Sequence, residues 1–434
     1  MLTTRYIRDH LDEIKDSLQR RKSPYPIDRL ESIDNEWRDV QTRLQALQAD
    51  RNRKSLEIAK HAKSGSAEGL GDLAAQATAI KAEIGKLEEA NLRLEKEIEA
   101  LIWNVPNALD KSVPYGASDA DNVELKKWGA VERKKVAGHE ETLIGMGLLD
   151  VEQAAKVAGA RFYYLKGDLA LLEQALIRFG IDELVAKGYT LIAPPMMLKR
   201  EYYRGVAPLG IFEEDLYKVA DPKEAGSREG LEKMEEDLFL ISTAEHPLAA
   251  MHAGQTFKGS DLPKRYVAIS SSFRREAGSH GKYSKGIFRV HHFYKVEQFI
   301  FCRPEDSWKY FDELQANTEA IWQKLGMPYR VMALCTADTG AQSAKTNDIE
   351  VYMKAQDTYR ELASCSNCLE WQSVRLDIKY DEKGSRNYVH TLNSTVIPTE
   401  RALVAITENY LNDGGTITVP EALVPYMNGK RQIG

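Results

Sequence analysis

Two long segments with a heptad repeat lie in the first quarter of the chain and constrain its fold more than any other feature. Over residues 73–101, apolar residues are spaced alternately three and four apart, and Asn91 is the single polar interruption. Residues 30–47 carry the same pattern, and such seams are typical of helices that pack as a coiled coil. The flexible run KSGSAEG, residues 63–69, connects the two segments. The sequence therefore predicts an antiparallel two-helix hairpin, with helices of ~35 residues and on the order of 50 Å in length.

A basic cluster lies near the predicted tip of this hairpin, where the first seam turns polar. Residues 51–63 include five basic side chains against one acidic side chain, a net charge of +4. The whole chain has the opposite sign, with a net charge of −6. The cluster favours a phosphate-bearing partner, and a solvated helix face is the alternative. Its members are Arg51, Arg53, Lys54, Lys60 and Lys63.

Length and composition limit the kinds of protein that this chain can form. The chain has 434 residues, of which 43% are hydrophobic, so it can bury a sizeable core in two or three domains. No apolar run approaches the ~20 residues that would span a bilayer. The opening segment MLTTRYIRDHLDEIK carries Asp9, Asp12 and Glu13 and lacks an apolar h-region, which disfavours a targeting peptide. Four cysteines are too few for a disulfide framework, so we expect a soluble cytoplasmic protein without a membrane partner.

The rest of the chain differs in texture, since Pro, Gly, aromatic and β-branched residues appear from the run NVPN at residues 104–107 onward. We therefore predict a helical arm over 1–104 and a second domain over 105–434. Its strands come in consecutive runs without long βαβ spacing, which predicts an α+β fold with an antiparallel sheet. Predicted helices lie near 168–187 and 399–412, and predicted strands lie near 189–193, 238–243, 267–273, 288–302, 329–336, 347–353 and 358–364.

One predicted hairpin, residues 269–301, concentrates chemically active side chains. Because side chains alternate along a strand, Arg274 and Glu276 are expected on one face of the first strand. On the second strand, five alternating side chains, from Arg289 to Glu297, are expected on one face. Arginine provides paired donors for phosphate or carboxylate, and an aromatic ring can stack on a base. The hairpin therefore favours a site for a planar, anionic ligand over a merely solvated face; the second set is Arg289, His291, Phe293, Lys295 and Glu297.

Motif order makes the chain similar to a known family. FRREAG, followed by a loop and RVHHFYKVE, resembles motif 2 of class II aminoacyl-tRNA synthetases, and specifically that of the seryl-tRNA synthetases. Residues 166–195 resemble the motif 1 helix and strand, and LISTAEHPL, residues 240–248, resembles the family's serine loop. ELASCSNCLEWQ, residues 361–372, resembles the acidic ATP strand, and residues 390–410 resemble motif 3. With the helical arm, the resemblance covers essentially the whole chain.

The resemblance implies roles for individual residues. Arg274 would bridge the serine carboxylate and the ATP α-phosphate, and Arg274, Glu297 and Arg401 are the implied catalytic residues. Glu361 and Ser364 would hold Mg²⁺ against the phosphates. The implied serine-binding residues are Thr243, Glu245, Arg274, Glu297 and Thr395. The implied ATP-binding residues are Arg274, Arg275, Glu276, Arg289, Val290, Phe293, Glu361, Leu362, Ala363, Ser364 and Arg401.

The resemblance also implies the overall activity. Such an enzyme activates L-serine with ATP to seryl-adenylate and pyrophosphate, and then transfers serine to the 3′ end of tRNA(Ser), with tRNA(Sec) as a further candidate acceptor. It implies a homodimer built on motif 1, helices that flank an antiparallel sheet, and a coiled-coil arm that reaches the variable arm of the tRNA. One alternative is an enzyme that loads a carrier protein, although such relatives lack the arm. The other is an inactive RNA-binding paralogue, which predicts damaged ATP residues.

Three local features need separate interpretation: the sequence of motif 3, a CxxC pair and His291. Motif 3 reads NSTVIPTERAL rather than a Gly-rich version, so we expect Pro398 in a loop that leads into a helix, with Thr399 as its N-cap. Cys365 and Cys368 form CxxC, but a zinc site needs further ligands, so a buried strand end is favoured. His291 is expected to be structural or peripheral to ATP, because adenylate formation needs no general base.

Overall fold

The computed structural model describes residues 2–64, 70–208, 213–219, 238–276 and 286–434. The chain divides into two units, Met1–Pro106 and Asn107–Gly434. The boundary that the sequence predicts after residue 104 lies two residues before this division. Within the described residues, no helix is long and apolar enough to cross a membrane.

Four helices form the N-terminal unit, and their packing confirms the predicted hairpin. The bounds are α1 Thr4–Asp9, α2 Leu11–Arg20, α3 Ile27–Ser64 and α4 Leu70–Ile102. At about 1.5 Å per residue, α3 and α4 are roughly 57 and 50 Å long. The connection over residues 65–69 lies outside the described residues. The seam is most deeply buried toward the base of the hairpin, at Leu30, Ile33, Val40, Leu44, Ile84, Leu87, Leu94 and Ile98.

Polar contacts across the two long helices set their register. Asn91, the polar interruption in the seam of α4, accepts a hydrogen bond of 2.5 Å from the side-chain amide of Gln41 on α3. Arg93 of α4 lies 3.3 Å from Glu36 of α3. Farther toward the tip, the ammonium of Lys54 donates to Gln76 at 2.6 Å. A partly buried polar pair in an apolar seam favours one alignment, because a shifted helix would leave both groups unpaired.

The described residues of the second unit form eight α-helices and eighteen strands. Its helices are α5 His139–Gly145, α6 Val151–Ala158, α7 Asp168–Val185, α8 Arg200–Val206, α9 Glu245–Ala250, α10 Ser307–Lys324, α11 Trp371–Leu376 and α12 Thr399–Asn409. Its strands are β1 Val123–Trp128, β2 Leu149–Asp150, β3 Tyr164–Leu165, β4 Thr190–Ile192, β5 Met197–Lys199, β6 Lys218–Val219, β7 Leu238–Leu240, β8 Thr256–Lys258, β9 Lys264–Phe273, β10 His292–Cys302, β11 Tyr329–Ala333, β12 Lys345–Met353, β13 Thr358–Leu369, β14 Lys379–Glu382, β15 Ser385–Tyr388, β16 His390–Pro398, β17 Ile417–Thr418 and β18 Gln432–Ile433.

A large sheet organises this unit, with strand order β1-β11-β12-β13-β16-β10-β9-β4. Its pairs are antiparallel except for β4 and β9, which confirms the predicted fold class. Alternate residues of β10 bury against two separate cores, since Ile300 joins one and Phe299 and Phe301 join the other. The central strands β10 and β16 place Glu297 directly opposite Thr395. Side chains that are about a hundred residues apart thereby become neighbours.

Strand β16 corrects the prediction for motif 3. Residues 390–398 form a central strand with both faces buried, and they do not form a loop. Pro398 is the last residue of that strand and the N-cap of α12, whereas Thr399 is the first helical residue. The Thr399 hydroxyl donates to Glu173 at 2.8 Å, so the predicted N-cap role of Thr399 is wrong. The strand was missed because its polar residues lack a two-residue hydrophobic period; Ser394, for example, is satisfied by a buried contact with Thr318 at 3.1 Å.

Candidate active site

Two cavities share the side chain of Arg274 and lie at the ends of the central strands. The larger has a volume of about 410 Å³ and is lined by residues of α9, including Glu245, and by Thr243. The smaller, of about 40 Å³, is lined by Phe293 and other residues that flank β10 and α12. Because Arg274 lines both, one guanidinium can contact two ligands at once.

A buried cluster around Glu297 lies next to the smaller cavity. Glu297 is 1% exposed, and its Oε2 forms an ion pair with the equally buried Lys295 two residues earlier on β10. The hydroxyls of Thr243 and Thr395 each lie 3.4 Å from the same oxygen. Lys295 also donates to Thr395 at 3.3 Å. A buried carboxylate needs such a cation and such donors, because an unpaired buried charge is costly.

Glu245 adds a second buried carboxyl group to the larger cavity. Burial, together with the negative charge of Glu297, raises the pKa of the Glu245 carboxyl to about 7. The side chain accepts a hydrogen bond of 2.8 Å from Gln372, and its backbone N–H donates to Thr243 at 3.2 Å. Glu245 and Glu297 both contact Thr243, and two carboxyl groups this close would gain from a ligand with a positive charge.

The position of Arg274 follows from its place directly after β9. Its backbone N–H donates to the carbonyl of His291 at 3.0 Å, which joins the ends of β9 and β10. Its Nε donates to the carbonyl of Ser242 at 3.4 Å, and its guanidinium carbon lies 5.3 Å from the centre of the Phe293 ring. His291 in turn places its Nδ1 at 2.9 Å from the Arg274 carbonyl oxygen, which is a structural contact.

Basic and aromatic side chains form the wall of the smaller cavity. Arg289 lies 3.1 Å from Glu276, and Arg401 donates to the backbone carbonyl of Glu361 at 2.7 Å. The Arg401 guanidinium carbon lies 5.0 Å from the centre of the Phe288 ring. Planar cations and rings at this spacing are suited to a flat base with phosphates attached.

The face-sharing prediction for this hairpin is partly wrong. Strand β9 ends at Phe273 and β10 begins at His292, so Arg274, Glu276 and Arg289 lie outside the strands. They meet because both chain segments leave the same end of the β9–β10 pair. The predicted residues that line at least one of the two cavities are Thr243, Glu245, Arg274, Glu276, Arg289, Val290, Phe293, Glu361, Leu362, Thr395 and Arg401.

An acidic group next to Arg401 has the chemistry of a magnesium site. The Ser364 hydroxyl donates to Asp348 at 2.6 Å and lies 3.4 Å from Glu361. Burial and the charge of Glu361 raise the pKa of the Asp348 carboxyl well above its usual range. Burial opposes ionisation of Glu361, but Arg401 and Arg274 outweigh it and hold the pKa of its carboxyl below the usual range. Oxygen donors with excess negative charge therefore fit Mg²⁺.

Protein ligands alone do not complete that site. Among the described residues, no group of three or more His, Cys, Asp or Glu side chains is placed to hold a metal ion. A Mg²⁺ ion at Glu361 would thus take further oxygens from a bound phosphate, which is how this ion usually binds. The two cysteines of the CxxC pair, Cys365 and Cys368, are buried free thiols on β13, and burial raises the pKa of both.

Some predicted residues do not line the cavities, and some lining residues were not predicted. Arg275, Glu297, Ala363 and Ser364 line neither cavity, and Ala363 belongs to the hydrophobic core. His246 was missed; its Nδ1 lies 2.8 Å from the Tyr203 hydroxyl, and burial with the nearby cations lowers its pKa to about 3. Phe288 was missed as well. The sequence signal for His246 was its place beside Glu245 in a short helix, which indicates proximity but no role.

The basic cluster of the arm lies on the last four turns of α3. Arg51, Arg53 and Lys60 are exposed, and Lys54 is half-buried against Gln76. Arg53 pairs with Asp50 one turn earlier. The side chain of Lys63 lies outside the described residues. Within the described part of the cluster, three cationic side chains face solvent and are available to an anionic partner.

Comparison with known proteins gives consistent matches over both units. A family model described as the seryl-tRNA synthetase N-terminal domain matches residues 1–109, and one described as the class II tRNA synthetase core domain (G, H, P, S and T) matches residues 223–410. The serine–tRNA ligase of Methanocella arvoryzae is 43% identical over 437 residues, which cover 99% of each chain.

Solved structures agree. The seryl-tRNA synthetase from Pyrococcus horikoshii, complexed with ATP, superimposes with a TM-score of 0.92 at 39% identity and covers 100% of this chain and 99% of its own. The cytoplasmic serine–tRNA ligase from Naegleria fowleri, in complex with AMP, gives a TM-score of 0.86 at 34% identity over 97% of this chain and 95% of its own.

Proposed function

The chain belongs to the seryl-tRNA synthetase family and is an ATP-dependent serine–tRNA ligase, and we propose that its two cavities hold serine and ATP on either side of Arg274. The observation that carries this proposal is the shared guanidinium. It lines the larger, more acidic cavity, which contains Glu245, and the smaller cavity, which contains Lys295 and Phe293; Arg289 and Arg401 line both as well. Serine and ATP have the complementary charges, because one carries an ammonium and the other a triphosphate.

Serine would bind in the acidic cavity through both of its polar ends. Glu245 and Glu297 would accept hydrogen bonds from the ammonium, and the hydroxyls of Thr243 and Thr395 converge on the same carboxylate. The serine hydroxyl would complete this cluster. An analogue without the hydroxyl would leave buried polar groups unpaired, which can cost a factor of about 10⁴ or more in specificity.

ATP would place its adenine at the smaller cavity, and its phosphates would extend into the larger cavity, which Arg289 and Arg401 also line. The adenine ring would stack on Phe293, with Glu276 accepting from its amino group, while Val290 and Leu362 provide the apolar edge. Arg289 and Arg401 would contact the phosphates; at present Arg289 pairs with Glu276 at 3.1 Å. This ion pair lies at a partly exposed position, so its rearrangement on binding costs little.

The chemistry follows from this placement. A serine carboxylate oxygen attacks the α-phosphorus, the bond from that phosphorus to the β-phosphate oxygen breaks, and pyrophosphate leaves. In the second step the terminal ribose hydroxyl of tRNA attacks the seryl carbonyl carbon, and AMP leaves. Neither step needs a protein nucleophile. Arg274 offsets the charge of the two anions that must meet, which is catalysis by positioning and electrostatic stabilisation.

Magnesium belongs to the same proposal. Glu361 and Ser364 would hold Mg²⁺, and Asp348 would orient Ser364 by accepting its hydroxyl hydrogen at 2.6 Å. When bound, the ion neutralises charge on the triphosphate. The acidic groups near Arg401, which are the half-exposed Glu361 and the buried Asp348 and Glu400, support this assignment, since clustered acidic groups are ordinarily paired with a cation.

The arm, the assembly and the compartment complete the proposal. The cluster Arg51, Arg53, Lys54, Lys60 and Lys63 would contact phosphates of tRNA(Ser), and because such contacts read shape, tRNA(Sec) is included as an acceptor. A homodimer is supported by apolar residues exposed on α7 and the edge strand β4, where Leu171, Val185 and Leu191 are each 45–46% exposed. Four free cysteines support a reducing, cytoplasmic location.

Amino-acid-dependent exchange of pyrophosphate into ATP tests the proposed first step. We expect exchange with L-serine and at least about a hundredfold less with alanine at equal concentration. Exchange with alanine at the serine rate would contradict the hydroxyl-binding cluster. An absence of exchange with serine would contradict the whole proposal.

Serine affinity should depend on pH through Glu245. Its pKa of about 7 means that the carboxyl is largely protonated at pH 6 and ionised at pH 8. Because the ionised form attracts the serine ammonium, we expect the KM for serine to fall several-fold, by up to about tenfold, as pH rises from 6 to 8. In Glu245→Gln, that fall should largely disappear. A KM for serine that falls equally in the variant would contradict this role; measuring the KM for ATP at each pH provides the internal control.

Magnesium affinity should depend on Ser364. We expect Ser364→Ala to weaken Mn²⁺ binding in the presence of ATP by about tenfold, because one oxygen ligand is lost. Electron paramagnetic resonance of free Mn²⁺ measures this directly. Ser366→Ala is a matched control, since Ser366 lies two residues along the same strand and contacts Thr346 at 2.8 Å instead. Equal effects of the two variants would contradict the assignment.

A further inference from the structure

Gly286 lies against the imidazole of a residue far away in sequence. It adopts φ +65°, and a Cβ atom added there would lie 2.3 Å from Nε2 of His139 and 3.1 Å from Cβ of Glu140. Both the backbone conformation and the space therefore require glycine. The ring therefore occupies the space into which a side chain at position 286 would project.

The ring of His139 is itself held in place. His139 is the first residue of α5 and is buried, and its Nδ1 lies 3.1 Å from Oε1 of Glu408. Glu408 is 1% exposed, and its other oxygen accepts from the backbone N–H of Ala355 at 3.1 Å. A carboxylate only accepts, so Nδ1 donates to Glu408 and the Nε2 edge of the ring faces away from that pair. Among the described residues Nε2 has no hydrogen-bond partner, so it contributes by its shape.

This contact lies beside the proposed ATP site without touching it. Two residues after Gly286, Phe288 lies under the guanidinium of Arg401 at 5.0 Å, and Arg289 follows directly. Arg401 and Glu408 belong to the same helix, α12, about two turns apart. One end of α12 therefore contacts the ATP wall, and the other end holds the ring that fixes Gly286.

We propose that His139 is a positioning residue, which sets segment 286–290 against Arg401 by placing its Nε2 edge on Gly286 while Glu408 fixes the ring. This inference rests on the proposed function, because it concerns the same ATP site. It predicts that the contact controls the affinity for ATP and leaves that for serine unchanged, since the serine pocket is built from α9, β10 and β16.

Kinetics of pyrophosphate exchange and calorimetric ATP binding test this proposal. Gly286→Ala should push the segment away from the ring and raise the KM and Kd for ATP by about tenfold, while the KM for serine stays within about twofold. His139→Asn keeps a donor for Glu408 but removes the Nε2 edge, so it should raise the KM for ATP only about threefold without lowering Tm.

The decisive variant combines the two substitutions. In His139→Asn/Gly286→Ala, the closest clash of the added methyl group, with the imidazole, is removed, so the KM for ATP should be lower than in Gly286→Ala alone, which is a non-additive rescue. A wild-type KM for ATP in Gly286→Ala, a double variant no better than that single variant, or a parallel rise in the KM for serine would each overturn the proposal. If the wild-type chain shows no serine-dependent exchange, the proposed function fails, whereas calorimetric ATP binding still decides on His139.

Discussion

Arg274→Ala should reduce serine-dependent pyrophosphate exchange by at least about a thousandfold, the largest effect that we expect of any single substitution. The side chain lines both cavities, so its loss removes the contact between the serine carboxylate and the α-phosphate at once. The positive charge of Arg274 also lowers the pKa values of Glu361, Glu245 and His246. The defect should appear mainly in kcat, because the two anions no longer meet in a reactive geometry.

Two further variants separate this explanation from general damage. Arg274→Lys keeps the charge but loses the planar fork, so it should recover only a small part of the activity. Arg386→Ala removes an exposed arginine of β15, outside both cavities, and should leave exchange unchanged. Unfolding temperatures of all three variants should agree within a few degrees. Exchange by Arg274→Ala within about tenfold of wild type would contradict the bridging role.

Removal of the arm should separate the two steps of the reaction. When residues 35–95 are deleted, we expect exchange within about threefold of wild type but charging of tRNA(Ser) reduced at least about a hundredfold. Glu36 and Arg93 lie 3.3 Å apart, so a short linker can join the remaining helix ends. The base of the hairpin keeps its core residues Leu30, Ile33 and Ile98.

Charge substitutions locate the contact more finely. Changing Arg51, Arg53 and Lys60 to Gln should weaken tRNA binding and reduce its salt dependence, because each lost phosphate contact lowers the slope of log Kd against log salt by about one unit or less. The matched control changes three basic residues of α4 that lie nearer the base. Equal losses in both variants would contradict the assignment of the tip; the control residues are Lys86, Arg93 and Lys96.

The arm was the most predictable part of the fold, because both the cause and the result are local. Apolar residues at steps of three and four must lie on one face of a helix, and two such faces joined by a short connection bury each other. The polar interruption at Asn91 is compatible with this packing, because Gln41 donates a hydrogen bond to Asn91 across the seam. The partner of Asn91 could not be predicted, because it depends on the exact register of two helices.

Elements whose stabilisation comes from distant residues were missed. Strand β16 carries Thr, Asn and Ser at its centre, and these look like loop residues until their buried partners are known. Helix α10, residues Ser307–Lys324, was not predicted although Phe311, Leu314 and Ile321 lie on its buried face. Its apolar residues have helical spacing, but no element was predicted between the strands at 288–302 and 329–336.

The site was predictable in composition and less so in mechanism. Motif resemblance identified Arg274, Glu276 and Arg401, and all three line a cavity. The role of Lys295 as the buried counter-ion of Glu297 was not identified, although strand alternation had placed both on one face. His139 and Glu408 were missed entirely, since they are 269 residues apart in sequence and only the fold brings them together.

Charging of tRNA(Ser) with radiolabelled serine by the purified chain tests the central claim most directly. We predict that label appears at the 3′ end of the tRNA in a base-labile ester, that its formation requires ATP and Mg²⁺, and that pretreatment of the tRNA with periodate abolishes it. Exchange of pyrophosphate with serine but no labelled tRNA(Ser) under the same conditions would contradict the claim, and would favour an enzyme that passes serine to another acceptor such as a carrier protein.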